Sequence, residues 1–202
     1  IRDRDGTVWS PLGYGLSQKV ESIAILGDII YAGGWFTDAG GNPNADYIAG
    51  WNGDQWQAMG NGLDNAVTSL KTDEGFLYAC GLFTKAVARW SGNWTYYDEE
   101  LPLIWLNITD MAVRGPNIFL SGLDDGVFHW NGESWKELSP YIEPINDDVE
   151  TMMIDGAFLY MGGHFFMSLP GTNNIARWEE PDLTGLDQYR DNPYPAMSVF
   201  PN

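Results

Sequence analysis

One short segment recurs four times along the 202 residues of the chain. In each copy an aromatic residue is followed by Gly within three positions, and a short apolar run ending in Trp comes next. The leading aromatic residues are Tyr31, Tyr78, Phe119 and Tyr160, which lie 47, 41 and 41 residues apart by subtraction of their numbers. A period in the forties built of short strand-like segments indicates a repeat protein.

Each repeat divides into four strand-like runs. An alternating apolar run comes first, and the aromatic-Gly run follows it. An Ile/Val-Ala-x-Trp run is third, and the fourth run starts at another Trp. Short connectors rich in Asn-Gly and Asp-Gly join the first run to the second and the third to the fourth, as tight hairpin turns require. The sequence therefore predicts an all-β fold, a β-propeller of four-stranded antiparallel blades.

Four blades are recognisable, with predicted bounds of 20–59, 67–97, 107–138 and 149–186. Residues 1–9 align without a gap on residues 48–56, so we expect residues 1–12 to be outer strands of a preceding or closing blade. Either this segment closes the last blade, or further blades lie upstream. Four blades are the low end for propellers, and we expect these to be part of a larger ring. Residues 187–196, which are polar and contain Pro, are predicted to be a linker.

The remaining connections are long and variable, for example 37–47 within the first blade and 60–66 after it. In a four-stranded meander, the connection from second to third strand and the connection between blades emerge at the same rim. One rim therefore carries only short turns, and we call it the trimmed rim. The other carries the long, variable connections, and we call it the elaborated rim. Variable loops on a rigid scaffold carry function more often than trimmed ones.

The candidate ligand-binding residues are acids and aromatic rings of this elaborated rim. Rings beside carboxylates are typical of sugar and peptide sites, because C–H-rich faces stack on rings while hydroxyl groups bond to acids. The residues are Tyr14, Asp38, Tyr47, Asp98, Glu99, Trp105, Asp125, Tyr141, Asp147 and Phe166. The alternative interpretation is that the rings pack the longer loops onto the blade edge and that the acids are solvated.

The charge balance excludes two classes of partner. Twenty-eight acids against ten bases give a net charge of −18, which repels phosphate backbones and anionic lipid. No run of 18 apolar residues exists, so no direct membrane insertion is predicted. Ca²⁺ is an alternative cofactor, because rim acids such as Asp46 and Asp64 could supply its oxygen ligands, although no spacing matches a known calcium loop. No other cofactor or metal is predicted.

Catalysis requires converging acid, base or nucleophile groups, and no such set stands out. His129 and His164 occupy repeat positions that hold unrelated residues elsewhere, which favours packing over catalysis. Cys80 replaces a strand Gly and is predicted to be an inert core residue. We therefore predict that the protein is not an enzyme. The alternative is an extracellular carbohydrate-active enzyme with two rim carboxylates as acid and base.

Residues 9–178 resemble the Trp/Gly-rich propeller repeat of secreted, multi-repeat bacterial surface proteins. The resemblance rests on a repeated unit that reads LY-x-GG-x-F, then IA-x-W-N-G-x-x-W, then LG-x-G-L. The third copy departs from it, because residues 120–124 lose one Gly and the Phe. Fungal cell-polarity surface proteins carry a similar repeat. A fungal-type surface polarity protein is therefore a further alternative.

The last residues of the sequence carry a second resemblance. Ser198, Val199, Phe200, Pro201 and Asn202 resemble the opening of the C-terminal sorting domain of type IX secretion cargo, so residues 197–202 are interpreted as its start. With the repeat, this implies a Bacteroidota cargo protein at an extracellular or outer-membrane surface location. The implied partners are the type IX translocon and its cargo shuttle. The implied role is a non-catalytic binding module for a glycan or surface protein.

Overall fold

A computed structural model describes residues 10–97, 101, 107–122, 126–138, 148–166 and 173–179. The strands of blade 1 are β1 (Val20–Leu26), β2 (Ile29–Gly34), β3 (Ile48–Trp51) and β4 (Trp56–Ala58). Blade 2 has β5 (Val67–Asp73), β6 (Phe76–Gly81), β7 (Val87–Trp90) and β8 (Trp94–Tyr96). Blade 3 has β9 (Ile108–Arg114), β10 (Asn117–Gly122), β11 (Gly126–Trp130) and β12 (Trp135–Glu137). Blade 4 has β13 (Asp148–Asp155), β14 (Phe158–Phe166) and β15 (Asn173–Glu179).

Every sheet is an antiparallel meander whose strands follow chain order, with four strands in blades 1 to 3 and three described strands in blade 4. The first strands β1, β5, β9 and β13 pack side by side in that order, and we call them the inner strands. This arrangement confirms the all-β prediction of four-stranded antiparallel blades. The fourth strand expected after residue 179, the segment 1–9, the linker and the sorting-domain start lie outside the described residues.

The strand glycines are explained by close backbone approach. A Cβ added at Gly34, Gly81 or Gly163 would lie 2.2 or 2.3 Å from a carbonyl oxygen at the start of the adjacent inner strand. The pairing of inner and second strands shifts register at this end of each sheet, as a β-bulge does. Any larger residue would push the bulged strand away, so the repeat requires Gly there.

Each blade has two faces, and we name the one toward the preceding blade the leading face and the other the trailing face. The junction between blades 1 and 2 buries Ile48 from the trailing face of blade 1 against Leu70 and Leu77 of blade 2. The two later junctions repeat this pattern with their own apolar residues. The cores of the molecule therefore lie between blades, because a four-stranded sheet must cover both its faces.

A Trp at the start of each described fourth strand reaches back to the preceding segment. The Nε1–H of Trp94 donates to the Met59 carbonyl oxygen at 2.9 Å, and that of Trp135 donates to the Tyr97 carbonyl oxygen at 2.7 Å. Trp56 does the same to Leu12 at 3.2 Å. Leu12 precedes Met59 by 47 positions, the offset at which residues 1–9 align on 48–56. The chain entering blade 1 thus occupies the place where a preceding blade would end.

Candidate functional site

The variable connections of blades 1 and 2 meet on one rim. The amide of Leu63, between the blades, donates to the Asp46 carbonyl oxygen in the β2–β3 connection at 3.4 Å. The amide of Leu82, in the β6–β7 connection, donates to the Ala66 carbonyl oxygen at 2.9 Å. In these blades the long connections therefore form a shared surface, whereas the opposite rim carries the short hairpin turns.

A groove of about 290 Å³ opens on this rim, and we call it the rim groove. It lies between the connection of blades 1 and 2, the β6–β7 connection and the end of β8. Its described lining residues are Asn61, Gly62, Leu63, Asp64, Phe83, Lys85 and Tyr96. The buried Phe83 and Leu63 provide an apolar base, and the other side chains supply polar groups at the solvent edge.

Asp64 is the fixed charge of the rim groove. Its carboxylate accepts the backbone N–H of Thr84 at 2.9 Å and the Thr84 hydroxyl group. The Thr84 hydroxyl bond, followed by the Thr84 amide, lowers the pKa of Asp64 despite an opposing effect of partial burial. The exposed carboxylate is therefore ionised at neutral pH and held in one orientation before any ligand arrives.

Tyr96 supplies the ring of the rim groove. It is 40% exposed, although it is the last residue of a strand. The corresponding positions of blades 1 and 3 are Ala58 and Glu137, so an exposed aromatic residue here is not required by the repeat. A phenol ring near an ordered carboxylate can stack on an apolar ligand face while the acid accepts a hydroxyl group.

Three of the ten predicted rim residues have described side chains, and none of them lines the rim groove. Tyr14 is fully exposed. The backbone amide of Asp38 donates to Asp46 Oδ1 at 2.8 Å, and the ring of Tyr47 packs against the core between blades 1 and 2. Phe166 is described only as a backbone position of β14 paired with β15. Asp98, Glu99, Trp105, Asp125, Tyr141 and Asp147 lie outside the described residues, as do Val199, Phe200, Pro201 and Asn202.

The rim groove thus contains residues that the sequence did not single out. Asp64 stands among the rim acids, but Asn61, Phe83 and Lys85 belong to segments that look like ordinary loops. Two signals were available in the sequence: Asp64 is one of the rim acids, and the aromatic ring of Tyr96 departs from the repeat. The ligand role of the ten predicted residues stays a prediction.

A second polar cluster lies on the inner strands, which line a groove of about 330 Å³. The buried carboxylate of Asp110 accepts hydrogen bonds from Ser69 Oγ at 2.5 Å and from the Met152 amide at 2.8 Å, and pairs with Lys71 Nζ at 2.9 Å. Thr151 donates a further bond at 3.1 Å. These donors come from blades 2 and 4, so Asp110 ties blade 3 to both neighbours. We assign it a structural role.

The buried titratable groups are also structural. His129 stacks on Phe119 with ring centroids 4.3 Å apart, and its Nε2 lies 2.9 Å from Asn117 Oδ1. Burial, followed by nearby Lys136, lowers the pKa of His129 to about 4. Burial raises the pKa of the Cys80 thiol to about 12, which makes it unreactive. His164 is exposed on β14.

The residues at the repeat positions of Asn117 and His129 differ from blade to blade. In blades 2 and 4 the guanidinium groups of Arg89 and Arg177 lie over the rings of Phe76 and Phe158, at 4.5 and 4.2 Å from the centroids. In blade 3 the same two positions hold His129 and Asn117, which are hydrogen bonded. Each combination covers the second strand, so packing explains why these residues vary.

Two common functional features are absent from the described residues. Within the described ranges, no group of three or more His, Cys, Asp or Glu side chains is placed to hold a metal ion. No helix in the described part of the chain has the length and apolarity needed to cross a membrane.

The chain resembles known proteins in structure rather than in sequence. No protein-family model matches the sequence, and the search of curated proteins gave no significant match. Among solved structures, the computationally designed Ika4 protein superposes with a TM-score of 0.53 at 15% identity, over 82% of this chain and 93% of that one. The fold is a β-propeller. At such identity the likeness concerns the fold alone.

Two natural proteins share this propeller-like architecture. The extracellular domain of the one-component system protein BT4673 from B. thetaiotaomicron matches with a TM-score of 0.52 at 12% identity, over 81% of this chain and 21% of that chain. YCF48 from Cyanidioschyzon merolae matches with a TM-score of 0.50 at 8% identity, over 93% and 59% respectively. The propeller therefore corresponds to only part of each of these longer chains.

Proposed function

We propose that this propeller is an extracellular, non-catalytic binding module that holds a glycan on its elaborated rim. The observation that carries the proposal is the rim groove, in which an ionised, oriented Asp64 and the exposed ring of Tyr96 share one opening. The groove stands on a blade whose strands are fixed by apolar junctions on both sides, so its groups are preorganised. Preorganisation reduces the entropy lost on binding.

The chemistry of the groove fits a saccharide. A sugar ring can stack its C–H face on Tyr96, while Asp64 accepts hydrogen bonds from its hydroxyl groups. Among the described lining residues, Asp64 is the one carboxylate. Glycoside hydrolysis uses two carboxyl groups at about 5 Å or about 6.5–9.5 Å, so the groove favours retention of a sugar over its cleavage. A surface protein bearing hydroxyl-rich side chains is the alternative ligand.

A glycan array followed by titration calorimetry tests this proposal. We expect at least one glycan class to bind, and expect Tyr96→Ala and Asp64→Asn each to weaken binding by about tenfold, the effect of about 1.4 kcal/mol. Tyr96→Phe should retain most of the affinity because it keeps the stacking face. Asp54→Asn, in the exposed β3–β4 turn of the trimmed rim, is the matched control and should bind normally.

Equal binding by all variants would place the ligand elsewhere, and product formation from a bound glycan would favour the enzyme alternative. Binding of a protein rather than a glycan, with the same variant pattern, would retain the groove and change the ligand class.

We further propose that the protein reaches the cell surface as type IX secretion cargo. The support is the resemblance of residues 197–202 to a sorting-domain start, together with the Trp/Gly-rich repeat. An extracellular location is compatible with the extracellular domain of BT4673, which shares the fold. Cell fractionation of a Bacteroidota host, with and without a working translocon, provides the test. Unchanged surface display without the translocon would contradict the export route.

A further inference from the structure

The segment that enters blade 1 and the connection that enters blade 2 have the same local structure. Leu12 and Met59, which are 47 positions apart, accept the two Trp Nε1–H bonds described above. A Cβ added at Gly13 or Gly60 would lie 3.1 or 3.4 Å from the ring of the Trp that ends the third strand of the same blade. The two segments can therefore be compared residue by residue at an offset of 47.

The connections from second to third strand in these blades also match at both ends, but they differ in length. The amides of Gly34 and Gly81 donate to the carbonyl oxygens of Tyr47 and Ala86, both at 3.0 Å. Tyr47 and Ala86 share a positive φ, 62° and 60°. Between the matched residues blade 1 has twelve residues, 35–46, and blade 2 has four, 82–85. Blade 1 therefore has eight additional residues, and we call residues 38–45 the insert.

The insert fills, in blade 1, the space that corresponds to the rim groove. Its Ala39 and Ala45 are 2% and 0% exposed and share an apolar cluster with Phe36, against which Leu16 and Ala58 pack. The blade 2 counterparts of the last three residues all line the rim groove: Phe83, Leu63 and Tyr96. The short β6–β7 connection has no counterpart of either alanine. The rim groove is therefore the place where blade 2 lacks the insert.

Two further differences between the blades occur at the same place. In blade 1, Ser17 Oγ donates to the Thr37 carbonyl oxygen at 3.0 Å and accepts the Thr37 amide at 3.1 Å. Asp64 takes the place of Ser17 in blade 2, so a neutral contact becomes a charged one. Tyr96 takes the place of an alanine. Loss of the insert alone requires neither a charge nor an exposed ring, so the three differences together indicate a site built for a ligand.

We propose that the rim groove holds the methyl-bearing part of a saccharide, in the place that the insert fills in blade 1. This inference rests on the function proposed above, which supplies the ligand class. The argument concerns what covers the apolar base in each blade. In blade 1 the base is covered by alanine side chains, which are methyl groups. In blade 2 the equivalent base of Phe83 and Leu63 is left to the ligand.

The apolar base discriminates between substituents of a sugar. A methyl group gains free energy when it leaves water for an apolar surface. A hydroxyl group in the same position loses its hydrogen bonds to water and finds no partner there. With a methyl group on the base, the hydroxyl groups of the sugar are left for Asp64 at the solvent edge, and a ring face is left for Tyr96. N-acetyl sugars and 6-deoxy sugars both carry such a methyl group.

Matched sugars bound to the unmodified chain test the proposal. N-acetylglucosamine is compared with glucose, and L-fucose with L-galactose, each as the free sugar and as the terminal unit of array glycans. In at least one pair, we expect the methyl-bearing sugar to bind about fourfold more tightly or better, the effect of one buried methyl group. Saturation-transfer nuclear magnetic resonance should show the strongest transfer at its methyl protons. Preference in the first pair alone indicates an N-acetyl ligand, and preference in the second alone a 6-deoxy ligand.

Transfer of the insert into blade 2 is the second test. The insert is suited to transfer because it is hydrogen bonded within itself, for example from the Ala39 amide to the Ala45 carbonyl oxygen at 3.1 Å. Residues 38–45 are inserted directly after Thr84. The graft is made in Tyr96→Ala, because the insert lies against β4, where blade 1 has the smaller Ala58.

We expect the graft to abolish the saturation transfer that Tyr96→Ala alone retains, because the alanines then cover the base. The control carries the same eight residues after Gly92, in the β7–β8 turn of the trimmed rim, and should bind as Tyr96→Ala does. Far-ultraviolet circular dichroism should show that both chains keep the fold.

Two outcomes overturn this inference and leave the proposed function standing. One is equal affinity within both sugar pairs, or array binding confined to glycans without a methyl group. The other is a folded graft that binds as well as Tyr96→Ala, which would place the ligand outside the space of the insert. Absence of binding by every glycan on the array would instead contradict the proposed function, and this inference with it.

Discussion

The inner strands of blades 1 and 2 present the same repeat positions on their leading faces, yet in the described structure those of blade 2 are buried and those of blade 1 are exposed. Leu70 and Ile23 occupy equivalent sites, have similar size and lie on equivalent strands, but their exposed fractions are 3% and 65%. The strand pattern therefore specifies which side chains are available for burial. The neighbouring blade decides whether they contribute to stability.

The largest expected contrast is between two truncations at this position. Leu70→Ala should lower the free energy of unfolding by about 3 kcal/mol, because it removes buried apolar groups and leaves a cavity between blades. Ile23→Ala should change it by less than about 1 kcal/mol in the monomer, because little burial is lost. Urea denaturation at low protein concentration measures both. Similar losses for the two variants would show that the Ile23 side chain is buried in solution.

The second contrast is between His129, which is buried in blade 3, and Arg177, which occupies the same repeat position in blade 4. Burial holds the native pKa of His129 near 4, while the unfolded value is 6.5. Below pH 6.5 the unfolded chain therefore binds a proton that the native state rejects. Stability falls as pH decreases from 6.5 toward 4, by about 2 kcal/mol between pH 7 and 5.

Denaturation of the parent chain and of His129→Gln at pH 7 and pH 5 isolates this contribution, because carboxylate titration is common to both. The variant should lose the histidine-dependent part of the slope. Arg177→Gln is the control, since a guanidinium group stays protonated over this range and its removal should leave the slope unchanged. An unaltered slope in His129→Gln would mean that the imidazole is accessible to protons in the native state.

The smallest contrast concerns the Trp hydrogen bonds between successive segments. Trp94→Phe keeps an aromatic ring but removes the donor to the Met59 carbonyl oxygen, and should cost about 1 kcal/mol. Trp56→Phe removes a longer bond, to Leu12 of the segment that enters blade 1, so its cost should be smaller. Thermal unfolding of the two variants checks the order. The reverse order would indicate that the entering segment is held more firmly than the inner junction.

Much of the fold was predictable from the sequence because it depends on local rules. The alternating runs predicted the inner strands, and the turn residues predicted the hairpins that join the first strand to the second and the third to the fourth. The recurrence of Gly in the second strand was visible in the sequence, and Gly81 gives the structural reason, because a side chain there would meet the Ala66 carbonyl oxygen. These features repeat, so each copy supports the interpretation of the others.

The candidate site was much less predictable. The rim groove forms where residues 61–64 meet residues 83–85 beside Tyr96, and no single segment carries that information. The pKa of Asp64 depends on Thr84, twenty positions away, and no spacing rule links the two. Sequence reasoning placed the variable connections on one rim, but it could not select which loops would enclose a groove.

By itself, the sequence determined the strand order, the tight turns and the positions of the apolar faces, because these follow from side-chain periodicity and backbone sterics along a few neighbouring residues. Only the tertiary structure decided which of those faces are covered and how Asp64 is oriented. Such properties depend on contacts between residues dozens of positions apart, and burial is a property of the neighbour as much as of the residue.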